Sequence, residues 1–276
     1  MTYKTLMVHV ALGQPNGPLL KLTGDLARRL SAGVIGIAAA QPMQILFGDG
    51  TPYDGAIFEQ DRADRAAEIE AAEAEFRAAF HGHQGAVGWR SSYGIAPLSD
   101  TVARAGRCAD LIITGVTSGE FLNAEPPMST GELLMQAGRP VLTVPLGTGA
   151  LPLQHVILAW KDTRETRRAA LDALPLLQLA HQITIIEIAA TSDLADATAR
   201  LQDVADWLSS HGVKADQLAV PRAKDDGAVL QAIAREQGAD LIVAGAYGHS
   251  RVREWALGGV TRELLLHGSR CALLSH

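Results

Sequence analysis

The sequence predicts an α/β protein of two tandem open-sheet domains, each a five-stranded parallel sheet flanked by helices. Three observations carry that expectation. Short β-branched runs alternate with longer segments rich in Ala, Leu and Arg, the rhythm of βαβ units. At 276 residues the chain is close to twice the usual domain size. A stretch of the first half also recurs in the second: Cys108-Ala109-Asp110-Leu111-Ile112-Ile113-Thr114-Gly115 lines up with Gly238-Ala239-Asp240-Leu241-Ile242-Val243-Ala244-Gly245, 130 positions later. Thr130-Gly131-Glu132-Leu133-Leu134 matches Thr261-Arg262-Glu263-Leu264-Leu265 at 131, so the intervening loops differ by one residue.

In chain order, the first half has strand patterns at 6–11, 34–39, 86–90, 111–114 and 141–144, with helical patterns near 17–31, 57–80, 96–107 and 129–137. The Pro, Gly and Asp content of 41–55 marks a loop. After Pro145, the run Gly147-Thr148-Gly149-Ala150-Leu151-Pro152 has linker composition. Strands then follow at 156–160, 183–189, 214–220, 241–244 and 271–274, with helices near 164–179, 194–210, 227–237 and 254–267. The expected domains are therefore 1–147 and 153–276, with equivalent first strands near Leu6 and Val156. The expectation is of two separate sheets, which one continuous ten-stranded sheet would contradict. The apolar strands at 141–144 and 272–274 are expected to meet, which would cover two sheet edges.

An apolar content of 47% with only 5% aromatics fits a helix-rich globular chain. A formal charge of −6 argues against general attraction to nucleic acid or anionic lipid, which needs a surplus of Lys and Arg on one face. Two cysteines, one per half, make neither a disulfide framework nor a zinc site. The chain enters a strand-like run at once, without the pattern of a signal peptide, and no apolar stretch approaches the roughly 20 residues that span a bilayer. The expected location is the cytoplasm, without membrane or nucleic-acid partners.

The informative motif follows the fourth strand of the second half: Ala244-Gly245-Ala246-Tyr247-Gly248-His249-Ser250-Arg251, then Gly258-Gly259-Val260-Thr261. Glycines at 245 and 248 allow a tight turn at the carboxyl end of a strand, where open α/β sheets bind ligands. Gly258 and Gly259 offer amides without side chains near a phosphate chain. In these residues the chain resembles the universal stress protein family. Its ATP-binding members carry Gly, two residues, Gly, nine residues, Gly and then Ser or Thr at this place. Gly245, Gly248 and Gly258 have that spacing. The resemblance implies a nucleotide over the ends of the first and fourth strands, with Ala159, Trp160, Lys161, Ala244, Gly245, Tyr247, Gly248, Gly258, Gly259, Val260 and Thr261 as the binding set. It implies adenine nucleotide as ligand, ATP with or without Mg, and an unidentified protein partner. Internal pairing of the domains, with room for a homodimer, follows from it too.

Two residues depart from the family pattern. Gly259 stands where ATP-binding members have Ser or Thr, which removes one hydroxyl donor and keeps the amide. Lys161 stands where such members end their first strand in an Asp that meets nucleotide and metal. That Lys could pair with phosphate, fill the site, or simply begin a solvated loop. In the first half the segment from Gly115 to Ser129 has different spacing, and Pro126 and Pro127 remove backbone donors where a phosphate-facing glycine belongs. That half reads as a structural or partner-binding copy.

The nine histidines show no helical zinc spacing. His249, Arg251 and Arg253 beside the motif could face an anion or only water. Glu68, Glu70, Glu73 and Glu75 read as the wet face of the long first-half helix. Ser91-Ser92-Tyr93-Gly94 has no nucleophile elbow, and no P-loop or early Gly-x-Gly-x-x-Gly is present. No catalytic residue and no protein metal site is assigned. Any ATP hydrolysis is expected to be slow. The functional expectation is a nucleotide-responsive stress-response regulator, with a non-nucleotide-binding interaction or assembly module of the same fold as the alternative.

Overall fold

The computed structural model describes residues 2–43, 55–116, 128–246 and 269–276. The first half runs β1 (Thr5–His9), α1 (Gly17–Leu30), β2 (Gly33–Ala40), α2 (Gly55–Ala79), β3 (Val87–Tyr93), α3 (Leu98–Ala105), β4 (Leu111–Val116), α4 (Thr130–Ala137) and β5 (Val141–Pro145). The second runs β6 (His155–Trp160), α5 (Arg164–Leu177), β7 (Gln182–Ala189), α6 (Leu194–Ser210), β8 (Asp216–Pro221), α7 (Asp226–Glu236), β9 (Leu241–Gly245) and β10 (Cys271–Ser275). The helix expected at 254–267 and most of the loop expected at 41–55 lie outside the described residues.

Within each half the strands are parallel and take equivalent orders, β3-β2-β1-β4-β5 and β8-β7-β6-β9-β10. Register repeats too: Leu6 faces Leu111 in β1 and β4, and Val156 faces Leu241 in β6 and β9. The duplicated Ala-Asp-Leu-Ile motif explains why. The Asp110 carboxylate accepts from the amides of Lys4 (2.7 Å) and Thr5 (2.9 Å), and its own amide donates to the Thr5 carbonyl. Asp240 repeats the clamp, accepting from Gln154 N (2.9 Å) and donating to the His155 carbonyl. Each Asp therefore aligns the fourth strand of its half with the first.

The expectation of two separate sheets is corrected. The halves are joined into one ten-stranded sheet, because β5 and β10 pair antiparallel, with Leu273 facing Leu142. Both strands end their own parallel sheet and are buried along nearly their whole length. Left apart, each would expose an apolar edge with unpaired amides, and pairing removes both edges at once. The expected contact between 141–144 and 272–274 is therefore present, in a form that fuses the sheets.

Helices α1, α2, α5 and α6 cover one face of the sheet, and α3, α4 and α7 the other. The linker-like run is pinned rather than loose: Leu151 and Leu153 are buried in the shared core, and an Arg29 guanidinium N–H reaches the Leu151 carbonyl at 2.8 Å. On α2, Glu68 and Glu73 pair with Arg65 and Arg77 one turn away, as a wet face should.

Candidate functional site

In an open parallel sheet the ligand crevice lies beyond the carboxyl ends of the strands, where strand order reverses. In the second half that point falls between β6 and β9, since β6 continues to β7 on its other side. There Ala159 and Ala244 stand opposite each other, on the sheet face they share with Ile157 and Ile242. Two methyl groups leave the strand ends low. The equivalent first-half positions carry His9 and Thr114, a buried pair with His9 Nδ1 3.2 Å from Thr114 Oγ1. The His9 ring therefore occupies volume where Ala159 has only a methyl group.

Burial lowers the His9 imidazole from its ordinary value to about 4. The sign follows from linkage: an unfolded chain takes up the proton below about pH 6.5, whereas the folded chain resists it until about pH 4. Stability is full above pH 6.5 and is lost as the pH falls toward 4, by about 2–3 kcal/mol. Urea unfolding at pH 7 and 4.5 is expected to show this loss in the parent and a clearly smaller one in His9→Gln. An equal loss in both would assign the acid sensitivity to other groups.

Gly245 follows Ala244, and its role is visible in the packing. A Cβ there would stand 2.4 Å from the Thr166 amide nitrogen and 2.6 Å from the Glu165 carbonyl carbon. The first turn of α5 thus lies directly on the end of β9, and only glycine permits that approach. The same turn is capped by Thr163, whose hydroxyl accepts from Thr166 N at 3.3 Å, while Thr163 N donates to the Lys161 carbonyl at 2.6 Å. The Lys161-Asp162 corner is exposed. Asp162 is engaged by Arg167, whose Nη2 lies 2.7 Å from Oδ1. Burial alone would raise the Glu165 carboxyl, but bonds from Arg164, its own amide and Thr163 hold it below the ordinary value.

The structure therefore brings Ala159, Ala244, Gly245 and the Lys161 backbone to one corner of the sheet. Trp160 is not part of that corner, because alternation along β6 turns its ring to the α5 and α6 side. Tyr247, Gly248, Gly258, Gly259, Val260 and Thr261 lie outside the described residues, as do His249, Arg251, Arg253, Pro126 and Pro127. Sequence reasoning missed His9, Thr114 and the α5 cap. The Thr163-x-x-Thr166 spacing before a helical pattern was a signal for the cap.

Among the described residues no group of three or more His, Cys, Asp and Glu is arranged to hold a metal ion. Neither Cys108 nor Cys271 is in a disulfide, and burial, with Asp240 nearby, pushes the Cys271 thiol up to about 12. No helix among the described residues is long and apolar enough to cross a membrane.

Residues 153–274 match the family model described as the universal stress protein family. No curated protein matches the chain. Among solved structures, a universal stress protein from Archaeoglobus fulgidus DSM 4304 superposes over 98% of this chain and 97% of its own, with a TM-score of 0.72 at 12% identity. A protein of unknown function from Pseudomonas aeruginosa PAO1 superposes over 99% and 92%, with a TM-score of 0.61 at 15% identity. At these identities the likeness is one of fold, and it covers both halves. The second half, residues 153–274, thus carries the match to the universal stress protein family, and the whole length of the chain shares the fold of the Archaeoglobus protein.

Proposed function

We propose that this protein is a cytoplasmic, nucleotide-responsive regulator whose second half binds one adenine nucleotide, ATP, beyond the carboxyl ends of β6 and β9. The observation that carries this reading is the pairing of Ala159 with Ala244 at the strand-order reversal, where the first half has His9 and Thr114. Only the second half combines low strand ends with the spacing of Gly245, Gly248 and Gly258. The same reading divides the chain into units 1–147 and 153–276, and gives the first a structural or partner-facing role. The β5–β10 seam already pairs the two units, so any homodimer would use another surface. Where Mg accompanies the nucleotide, it would be held mainly by the phosphates, since Asp162 is engaged by Arg167.

A specific observation also favours the interaction-module reading: packing of α5 on Gly245 accounts for that glycine without any ligand. Titration calorimetry with ATP separates the two. Saturable binding of one ATP per chain is expected. Gly248→Val should weaken it at least tenfold, about 1.4 kcal/mol, while Gly119→Val leaves it unchanged. If Lys161 pairs with phosphate, Lys161→Ala should weaken binding and reduce its salt dependence; if the side chain occupies the crevice, the same change should strengthen binding. No heat from either the parent or Lys161→Ala would favour the interaction module.

A further inference from the structure

On the sheet face away from Ala159 and Ala244, an open cavity of about 420 Å³ lies between α5 and α6. Its volume is within the range of small-molecule sites. The apolar lining comes from Trp160 on β6, Leu171 on α5, and Val204 and Trp207 on α6. In the first half, α2 instead packs an aromatic cluster over β2 and β3: Phe76 lies against Phe80 and Trp89, at ring-centroid distances of 4.7 and 5.3 Å. Among the described residues no such aromatic cluster closes the cleft between α5 and α6.

Its walls carry opposite charges that do not meet. Arg167 on α5 spends Nε and Nη2 on Asp162 Oδ1, at 3.2 and 2.7 Å, which leaves Nη1 without a partner among the described residues. Asp203 on α6 lines the cavity and is exposed, and no ion pair or hydrogen bond engages it among the described residues. Beneath them, the Trp160 indole N–H is buried without an acceptor among the described residues. An apolar cleft with a cation on one wall and an unneutralised carboxylate on the other is complementary to a small zwitterion with an apolar body.

We propose that this cavity binds a free α-amino acid with an aromatic or branched aliphatic side chain. The ligand carboxylate faces Arg167, its ammonium group faces Asp203, and its side chain lies among Trp160, Leu171 and Trp207. The aromatic rings add attraction for the ammonium group where it passes over a ring face. This site stands apart from the nucleotide crevice and does not depend on it.

Trp160 and Trp207 are two of four tryptophans, so intrinsic fluorescence of the full chain reports occupancy, with calorimetry as the second measure. The probes are L-phenylalanine, L-leucine, phenethylamine, which lacks the carboxylate, and 3-phenylpropionate, which lacks the ammonium group. L-phenylalanine is expected to bind saturably and at least threefold more tightly than either truncated probe, a ratio in keeping with partly exposed ion pairs. Asp203→Asn should erase the preference over 3-phenylpropionate and keep that over phenethylamine, and Arg167→Gln should do the reverse. Leu171→Trp, at a site already 37% exposed, should block binding without lowering the unfolding temperature. Phenethylamine or 3-phenylpropionate binding as tightly as L-phenylalanine would overturn the proposal. So would affinity unchanged by Leu171→Trp in a folded protein, or no saturable signal with either amino acid.

Discussion

Removal of residues 271–276 is expected to unfold the second half and drive the chain into aggregates, the largest effect anticipated for any small change. β10 lies inside the sheet, hydrogen-bonded to β5 on one side and β9 on the other. Leu273 belongs to the core under α5 and α6, while Ala272 and Leu274 belong to the core on the opposite face, and all three are fully buried. The truncation thus strips two ladders and both cores together, and exposes two apolar strand edges that invite pairing with other copies. The single replacement Leu273→Ala keeps the ladders and isolates the packing, with an expected cost of about 2–5 kcal/mol in urea unfolding. Size-exclusion chromatography and urea titration would read both variants. A truncated chain that stayed monodisperse with the parent's midpoint would show that the seam contributes nothing.

Gly245→Ala is expected to destabilise the protein by about 2–3 kcal/mol, and Gly115→Ala to leave it within about 0.5 kcal/mol. The two glycines end equivalent strands and align in the duplicated motif, yet their surroundings differ. A methyl group on Gly245 would meet backbone atoms of α5 at 2.4 to 2.8 Å, and backbone cannot rotate away as a flexible side chain can. A methyl group on Gly115 would meet nothing within 4 Å among the described residues. Relief in the first case requires α5 to shift from β9, which disturbs the Thr163 cap and the buried Glu165 in the same turn. Thermal unfolding of both variants checks the contrast. Equal stabilities would mean that the close approach of α5 carries no energetic weight. Because Gly245 has this packing role, an ATP-binding defect in Gly245→Ala would not by itself report a phosphate contact, whereas one in Gly248→Val in a normally stable protein would.

Much of the fold was legible because local periodicity and turn chemistry are properties of short segments. Every described helix and strand falls within a few residues of its sequence pattern, including the α4 start, where Ser129 accepts from the Glu132 amide as an N-cap should. The repeated Ala-Asp-Leu-Ile also revealed the duplication, and each Asp proved to be the clamp between the first and fourth strands of its half. The joining of two sheets was half visible. The apolar strands at 141–144 and 272–274 predicted a meeting, but edge-to-edge hydrogen bonding and face-to-face packing both bury such strands, and only register distinguishes them.

The corner at β6 and β9 was legible in residue type and illegible in direction. Ala159 and Trp160 are neighbours in sequence and fall in one binding set by resemblance, yet alternation in a strand sends them to opposite faces of the sheet. The strand and helix rhythm, the repeated motif and the glycine spacing, which depend only on the order of residues, determined the fold class, the duplication and the family resemblance. That His9 meets Thr114 where Ala159 meets Ala244, why Gly245 admits no side chain, and where α5 and α6 leave a cavity were decided by tertiary packing. Those features depend on atoms more than a hundred residues apart, as in His9 with Thr114, or on the approach of one backbone to another, and neither distance is written in a local pattern.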